Sequence, residues 1–566
     1  MKKSILLSFL LSMAANTFAI EVQIGSLWYD LISKTKGATV LQYKDNVKYK
    51  GDIVIPETVT QNGVTYPVTS IAAEAFLGCT EMTSVTIPAN MKFVGDGAFY
   101  GCNKLKTKGV HISDLSAWCK IEYEAIHYTT GAQPLYCGHS LYLNGTLLTD
   151  LVIPDDVTSI GRLAFHSCTS ITSITAHSNL TNVTLGAFGA CSKVTSIYIS
   201  DLKLWCQAPI PVNQAHSLYL NGEKITNLEI PSGVKSLAPC AFYYCTDLTS
   251  VTFPSSLTSI GREAFSGCSG LTSVTIPDKI TTIEPYTFAY CKGLTSVTIP
   301  NSVTSIGNSA FAYCSGLTSI TVPQSVKELD SYAFGSCSGL TSVNIPNSLD
   351  SLKEGTFYSC YGLTSVTIPD GVKVIDKRAF YECKNLTTVS MGKDIAAIND
   401  YAFYNCPELA DVYCQAVKVP AANDLTFKDS RIDYATLHVP TVAVDSYKAT
   451  APWSGFKYIY GKCAKPAITL NNGKLTFSSE DEGVEYHYEI SDADIKTGGD
   501  TEVSLTFLYT ISLYTSKAGL DNSDVVTMQI QLSPGAGGGK KGDVNADGIV
   551  DVADIANVID IMAGKQ

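Results

Sequence analysis

Asp543, Asn545, Asp547, Asp551 and Asp554 fall at positions 1, 3, 5, 9 and 12 of one loop, with Gly548 at position 6. A hard cation such as Ca²⁺ takes about six to eight oxygens, and this spacing wraps carboxylates, one amide and the main-chain carbonyl of Ile549 around a single ion. Downstream, Ile555, Val558, Ile559 and Met562 repeat at i, i+3, i+4 and i+7, the apolar stripe of a short helix. A helix of about twelve residues is marginal alone in water, so calcium and packing of the stripe are expected to order it. Other chemistry is absent from the spacing. The eight His (111, 127, 139, 166, 177, 216, 438 and 487) are scattered, without an H-E-x-x-H or C-x-x-C arrangement for zinc and without a G-x-S-x-G elbow. Asp155-Asp156 and Glu480-Asp481-Glu482 sit in turn-like contexts that read as solvated charge, whereas a glycosidase needs two carboxylates facing across a cleft. Pro534 to Gly542, PGAGGGKKG, lacks the G-x-x-x-x-G-K-[ST] spacing of a phosphate loop and reads as a flexible linker.

The elements that must carry any site are repeats. A 23-residue unit, cleanest as LTSVTIPDKITTIEPYTFAYCKG from Leu271 to Gly293, recurs without insertion through Phe242/Cys245, Phe265/Cys268, Phe288/Cys291, Phe311/Cys314, Phe334/Cys337, Phe357/Cys360, Phe380/Cys383 and Phe403/Cys406. Earlier copies at Phe76/Cys79, Phe99/Cys102, Phe165/Cys168 and Phe188/Cys191 are irregularly spaced. A fixed period of this size predicts a solenoid whose coils are stable only when stacked. Within a unit, Val297 and Ile299 alternate with Ser296 and Thr298, the period of a strand with one buried face. Pro300 ends that strand, Asn301-Ser302 turns the chain, and Val303 to Phe311 returns it. Little helix is expected.

Composition narrows the class. Charged residues are 16% of the 566 and the net charge is −12, which argues against a nucleic-acid partner. Lys2-Lys3, the apolar run Ile5 to Met13 and Thr17-Phe18-Ala19 read as a signal peptide over residues 1–19. No later run has the ~20 apolar residues of a transmembrane helix. Of the 18 Cys, twelve occupy the same repeat position. Neighbouring coils would hold them ~4.8 Å apart with parallel side chains, too far for the usual ~3.8 Å between bridged Cβ atoms, so they read as a buried thiol ladder. Cys119, Cys137, Cys206, Cys240, Cys414 and Cys463 have no spacing that assigns a partner.

LTSVTIP, SVTSIG and AFAYCSG resemble the BspA-type leucine-rich repeats of secreted and surface proteins, especially of gut and oral anaerobic bacteria, over most of the chain. That resemblance implies an elongated, curved solenoid used mainly for adhesion to host extracellular proteins or other cells. GDVNADGIVDVADIANVIDIMAG resembles one repeat of a type I dockerin, which implies Ca²⁺ held by Asp543, Asn545, Asp547, Ile549, Asp551 and Asp554, and a cohesin-like partner. A full dockerin has two such repeats and this chain shows one. The partner-contacting hydroxyl pair usual at loop positions 10 and 11 is replaced here by Val552 and Ala553.

The resulting expectation is a mainly β protein: a leucine-rich-repeat solenoid with a small C-terminal β-sandwich and a short calcium loop-helix. Its parts are an N-terminal cap (20–50) with WYDLIS and ATVLQY as strands, the solenoid (51–406), a C-terminal cap (407–461), the sandwich (462–533), a linker (534–542) and the calcium repeat (543–566). Two enlarged units, VHISDLSAWC leading to SLYLNG and IYISDLKLWC leading to SLYLNG, interrupt the period. Trp118 and Trp205 in them either form binding loops or pack the larger coil. The function expected is secreted and non-catalytic, binding a protein or glycan ligand on a cell or matrix surface. The alternative is a non-catalytic component of a dockerin–cohesin polysaccharide-degrading assembly. A third reading takes the outward pairs Ser273/Thr275, Ser296/Thr298, Ser319/Thr321 and Ser365/Thr367 as a lattice for ice or crystalline polysaccharide, although Ser and Thr are also the default on the wet side of a strand.

Overall fold

The computed structural model describes residues 19–32, 37–44, 46–124, 133–135, 138–184, 186–212, 214–463, 465–471, 474–479, 484–497, 504–517 and 520–532. The calcium repeat, the linker, Cys137 and all but the last residue of the signal segment lie outside them. The fold is mainly β with 6% helix, and the chain divides into two compact units, residues 1–340 and 341–566.

In the first unit the strands Ala19–Ile24, Leu27–Ile32 and Gly37–Val40 form an antiparallel meander. The second has Leu27, Tyr29 and Leu31 buried in alternation. Gly37–Val40 then pairs in parallel with Val64–Ile71, so the cap passes its hydrogen-bonding edge directly to the coils. Each regular coil contributes a three-residue strand, a two-residue return strand and a tight turn. Ser273–Thr275 pairs with Ser296–Thr298, and Thr282–Ile283 with Ser305–Ile306, both in parallel. A third ladder runs through the turns, where Phe265 N–H donates to Thr287 O (2.9 Å) and Phe288 N–H to Ala310 O (2.8 Å).

The Phe rings stack from coil to coil at centroid distances of 5.3, 5.5, 5.6 and 5.5 Å from Phe242 to Phe334. Such pairs add about 0.5–1.5 kcal/mol beyond the area they bury. Beside them runs the thiol column. Cys268, Cys291, Cys314 and Cys337 donate Sγ–H to the carbonyls of Phe242, Phe265, Phe288 and Phe311 in the preceding coil at 3.0–3.1 Å. The same Phe265 oxygen also accepts the N–H of Cys268 in its own coil (3.2 Å). Both lone pairs of a buried carbonyl are thereby used, which a Val or Ala in place of Cys would not achieve. All 17 described cysteines are buried thiols outside any disulfide.

The turn around each Phe bends twice through left-handed backbone, two residues before and two after the ring: Tyr286 (φ 58) and Tyr290 (φ 61), Ser309 (φ 54) and Tyr313 (φ 62). Side chains other than Gly take these positions at about 1–2 kcal/mol each, a cost that stacking offsets. At Gly267 a Cβ would meet the Tyr244 ring at 2.7 Å, so any other residue there would have to displace that ring.

The two enlarged coils end one parallel sheet and start another. Leu141–Leu143 turns through Asn144 (φ 50) and Gly145 (φ 80) into the antiparallel strand Thr146–Leu147, and Ser217–Leu220 does the same through Asn221 and Gly222 into Glu223–Lys224, as Asn-Gly hairpins require. Short helices Leu115–Cys119 and Leu202–Trp205 are N-capped by the Asp114 and Asp201 carboxylates. Trp118 and Trp205 are buried. Their indole N–H groups donate to Ala164 O (3.0 Å) and Ala241 O (2.8 Å). In regular coils that Ala-position oxygen receives a Phe backbone N–H from the preceding coil, so each Trp stands in for a missing Phe. Of the two readings of Trp118 and Trp205, packing is the one observed.

In the second unit Ser365–Ile368, Thr388–Met391, Asp411–Cys414, Thr436–Pro440 and Tyr458–Lys462 form a five-stranded parallel sheet. The stack Phe357, Phe380, Phe403, Phe427 is closed by Trp453, set edge-on to Phe427 at 69° and bonded through its indole N–H to Pro420 O. Beyond it lie the hairpin Ala467–Asn471/Lys474–Ser478 and the antiparallel sheet Glu485–Thr497, Ser504–Ser516, Val526–Leu532, with Phe477 of the hairpin against Tyr486 and Tyr488 of the sheet.

Burial pushes the thiols up from 9.0, to about 11 for Cys79 and Cys240 and about 12 for Cys102, Cys119, Cys206, Cys337 and Cys406. The folded chain therefore keeps protons that the unfolded chain loses above pH 9. This contribution is complete below that pH and disappears as pH rises through 11 to 12, at about 1.4 kcal/mol per pH unit for each such thiol. Denaturant midpoints should be level from pH 7 to the unfolded thiol range and fall steeply above it, and the thiols should react with a maleimide only after denaturation. Phe311→Ala should destabilise its neighbouring coils by about 3–5 kcal/mol, read as earlier hydrogen exchange of those coils.

Candidate interaction surface

The six residues predicted to hold calcium lie outside the described residues. Among the described residues no group of His, Cys, Asp and Glu is arranged to hold a metal. Cys245 Sγ lies 3.4 Å from His216 Nε2, but both side chains are buried. Burial raises the thiol and lowers the imidazole, which keeps both neutral. The contact packs the first coil after the second enlarged unit, where the preceding Phe carbonyl is missing. Cys168 meets Ser170 Oγ at the corresponding place after the first.

The outward strand face is where the sequence placed its Ser/Thr pairs, and Ser273, Thr275, Ser296, Thr298, Ser319, Thr321, Ser365 and Thr367 are all exposed. One row of hydroxyls alongside is structural: Thr249, Thr272 and Thr295 donate to the Thr carbonyl one coil back at 3.0–3.1 Å. The outward column changes character where the period breaks. Thr86 is followed in register by His111 and Tyr142, Thr175 by Tyr198 and Tyr219, and Ser390 by Tyr413, His438 and Tyr460. Their rings stack at 4.7 Å (His111–Tyr142), 4.7 Å (Tyr198–Tyr219) and 4.2 Å (Tyr413–His438). The turn face carries further stacks, Tyr290–Tyr313 at 4.5 Å in the first unit and Tyr358–Tyr381–Tyr404 at 4.8 and 4.6 Å in the second. Stacked rings cover one another's faces and offer edges and hydroxyls, the amphipathic contact that protein interfaces favour.

A family model described as the BspA type leucine rich repeat region (6 copies) matches residues 56–117, 137–204, 215–341 and 329–447. The chain belongs to this family. Among curated proteins nothing matches. Solved structures similar to it include a leucine rich cell surface protein from Faecalibacterium prausnitzii A2-165 (26% identity, 70% of this chain and 95% of that one, TM-score 0.38) and a leucine-rich repeat protein from Bacteroides ovatus ATCC 8483 (25%, 69% and 94%, 0.43). A third is the pneumococcal vaccine antigen PcpA (15%, 78% and 99%, 0.41). Proteins with BspA-type repeats are cell-surface or extracellular and act through protein contacts. Among the described residues no helix is long and apolar enough to cross a membrane.

The BspA-type repeats hold a polar device that the sequence reading missed. The strand that starts the outward ladder in the first unit, and each strand that restarts it after an Asn-Gly hairpin, carries an acceptor, Asp52, Asp150 or Asn227, where regular coils have Ser. Each takes the Ser hydroxyl of the next coil: Ser84 at 2.9 Å, Ser173 at 2.6 Å and Ser250 at 2.7 Å. Asp52 also accepts from Lys108 Nζ (2.6 Å) and Thr83 Oγ1 (2.5 Å). The Lys108 hydrogen bond first, then those of Thr83 and Ser84, hold its carboxyl at about 2. The signal was present in GDIVIP, TDLVIP and TNLEIP, but only the register shows what the side chain meets.

Because the folded-state value lies below the ordinary 3.8, what Asp52 contributes is present above that range and is lost as pH falls towards 2. Carboxyl-carbon NMR should give a midpoint near 2 for Asp52, and Lys108→Met should move it up towards 3.8.

Proposed function

We propose that the chain is a secreted, non-catalytic interaction protein that adheres to macromolecules on a host cell, another cell or the surrounding matrix. One observation carries this reading: part-exposed ring stacks replace Thr in the outward column only in the two enlarged units, at His111/Tyr142 and Tyr198/Tyr219. Burying such rings at a contact yields more free energy than burying Ser or Thr. Rings whose faces are covered suit a protein partner better than a sugar, which needs an open aromatic face. The same interruptions oppose a continuous hydroxyl lattice for ice or crystalline polysaccharide. In a pull-down from matrix-protein and insoluble-glycan panels, the mature protein should retain a protein ligand. Tyr198→Ser with Tyr219→Ser should weaken that retention at least tenfold at unchanged melting temperature, whereas deleting one regular coil should change it less than twofold. Retention by glycans alone, or indifference to the double substitution, rejects the reading.

The second reading, a component of a dockerin–cohesin assembly, is favoured by the spacing of Asp543, Asn545, Asp547, Ile549, Asp551 and Asp554. In it residues 543–566 form a calcium-ordered docking element for a cohesin-like partner. Val552 and Ala553 in place of the hydroxyl pair imply an altered partner surface. Adding Ca²⁺ to the full chain should increase helical signal, and Asp543→Ala with Asp547→Ala should remove the increase while leaving the solenoid's melting unchanged. Ion at a hundredfold excess over Kd should stabilise the tail by ~2.7 kcal/mol. Calorimetry without calcium uptake removes the docking element and leaves adhesion standing.

A further inference from the structure

The C-terminal ends of the parallel strands in the second unit open onto a cleft of about 360 Å³, within the size range of small-ligand pockets. Cys414 and Cys463, both buried, face it from the strand ends, and Val417, Val439 and Pro440 give it an aliphatic wall. Val417 is 60% exposed, an apolar side chain held at the surface. Around the wall stand three lysines, Lys393, Lys462 and Lys465, against one carboxylate, Asp524. The lining itself thus carries more cations than carboxylates; Asp411 and Asp521 stand behind it, on His438. Lys462 is tied to Asp524 at 2.5 Å, with Lys465 at 3.5 Å from the other oxygen. Burial works against the Asp524 charge, but the Lys462 hydrogen bond and both lysine charges hold it below the usual carboxylate range. The pairing leaves the lining with positive charge beyond what Asp524 neutralises.

The chemistry selects the ligand. Lysine ammonium groups beside an apolar wall suit a carboxylate with an aliphatic body. The lining has few acceptors for a sugar's hydroxyls, and its one aromatic ring, Tyr413, is covered on a face by His438 at 4.2 Å. His438 in turn bonds to Asp411 at 3.1 Å and to Asp521, which anchors this wall to the loop that supplies Asp524. We infer that this cleft binds a peptide C-terminus that ends in an aliphatic residue, its carboxylate on Lys393 and Lys465 and its side chain against Val417, Val439 and Pro440. Capture of a terminal carboxylate is a known mode of peptide recognition, and this site, whose lining includes Tyr413 and His438, uses none of the residues of the His111/Tyr142 and Tyr198/Tyr219 stacks proposed above to hold macromolecules.

Calorimetric titration of the full chain with N-acetyl-leucine tests it, with N-acetyl-leucinamide and glucuronate as comparators. N-acetyl-leucine should bind saturably at one site, and the amide, which lacks the charge, at least tenfold more weakly. Lys393→Gln with Lys465→Gln should weaken the acid at least tenfold without moving the melting temperature, since Lys462 keeps Asp524 paired. Val417→Asp, at an exposed position, should abolish binding. The assignment is overturned by absence of saturable heat with N-acetyl-leucine, by equal affinity for acid and amide, or by indifference to the lysine and valine substitutions. Tighter binding of glucuronate than of N-acetyl-leucine overturns the peptide and makes the cleft a site for sugar acids.

Discussion

The solenoid depends on how each coil treats one main-chain oxygen. The Phe carbonyl at the turn is buried and can accept two hydrogen bonds. One comes from the N–H of the Cys three residues on, and the other from the thiol of the Cys in the next coil, as at Phe265 with Cys268 and Cys291. Leaving such a lone pair dry costs more than the net gain of an average hydrogen bond, so Cys is retained where a methyl or a branched chain would fill the same space. The 23-residue period follows from this: only an equal repeat keeps carbonyl, thiol and ring in line through every turn.

The proposed binding role rests on the departures from that line. Where a coil is enlarged, the parallel sheet ends in an Asn-Gly hairpin, a Trp replaces the Phe main-chain donor, and the outward Thr becomes an aromatic ring. The regular coils supply a rigid, nearly uniform polar face; the irregular ones give that face addresses. An interaction protein needs both, because a uniform surface cannot distinguish one partner from another, whereas a few rings held without conformational entropy can.

The coil was legible in the sequence because every layer of its physics repeats: the Ser-Val-Thr alternation, the Pro exit, and Phe and Cys at a constant interval. The thiol ladder was legible as packing, but its donor role was not, since nothing in a Cys-x-x-x spacing shows which carbonyl lies beneath it. The left-handed turns were invisible for the same reason. Their positions hold Tyr, Ser, Glu, Arg and Asn as well as Gly, with stacking across coils overriding local preference. The ring columns and the cleft depend on register between strands far apart in the chain, as in Thr436–Pro440 beside Asp411–Cys414. The spacing of Asp543, Asn545, Asp547, Asp551 and Asp554, from which the calcium element is proposed, is the opposite case, a local pattern that the sequence carries in full.

The hairpin seams also bear on mechanics. Within a sheet, the outward strand ladder joins coil to coil. Between Leu147 and Asp150, and again between Lys224 and Asn227, that ladder is interrupted, and neighbouring coils are joined through the indole bonds of Trp118 and Trp205 and the return segment, as in Gly161 N–H to Cys119 O and Ala238 N–H to Cys206 O. Under a pull along the stack, the load at these two places would pass through side-chain links such as Lys120–Asp156 and Lys224–Asp247 in place of the strand ladder.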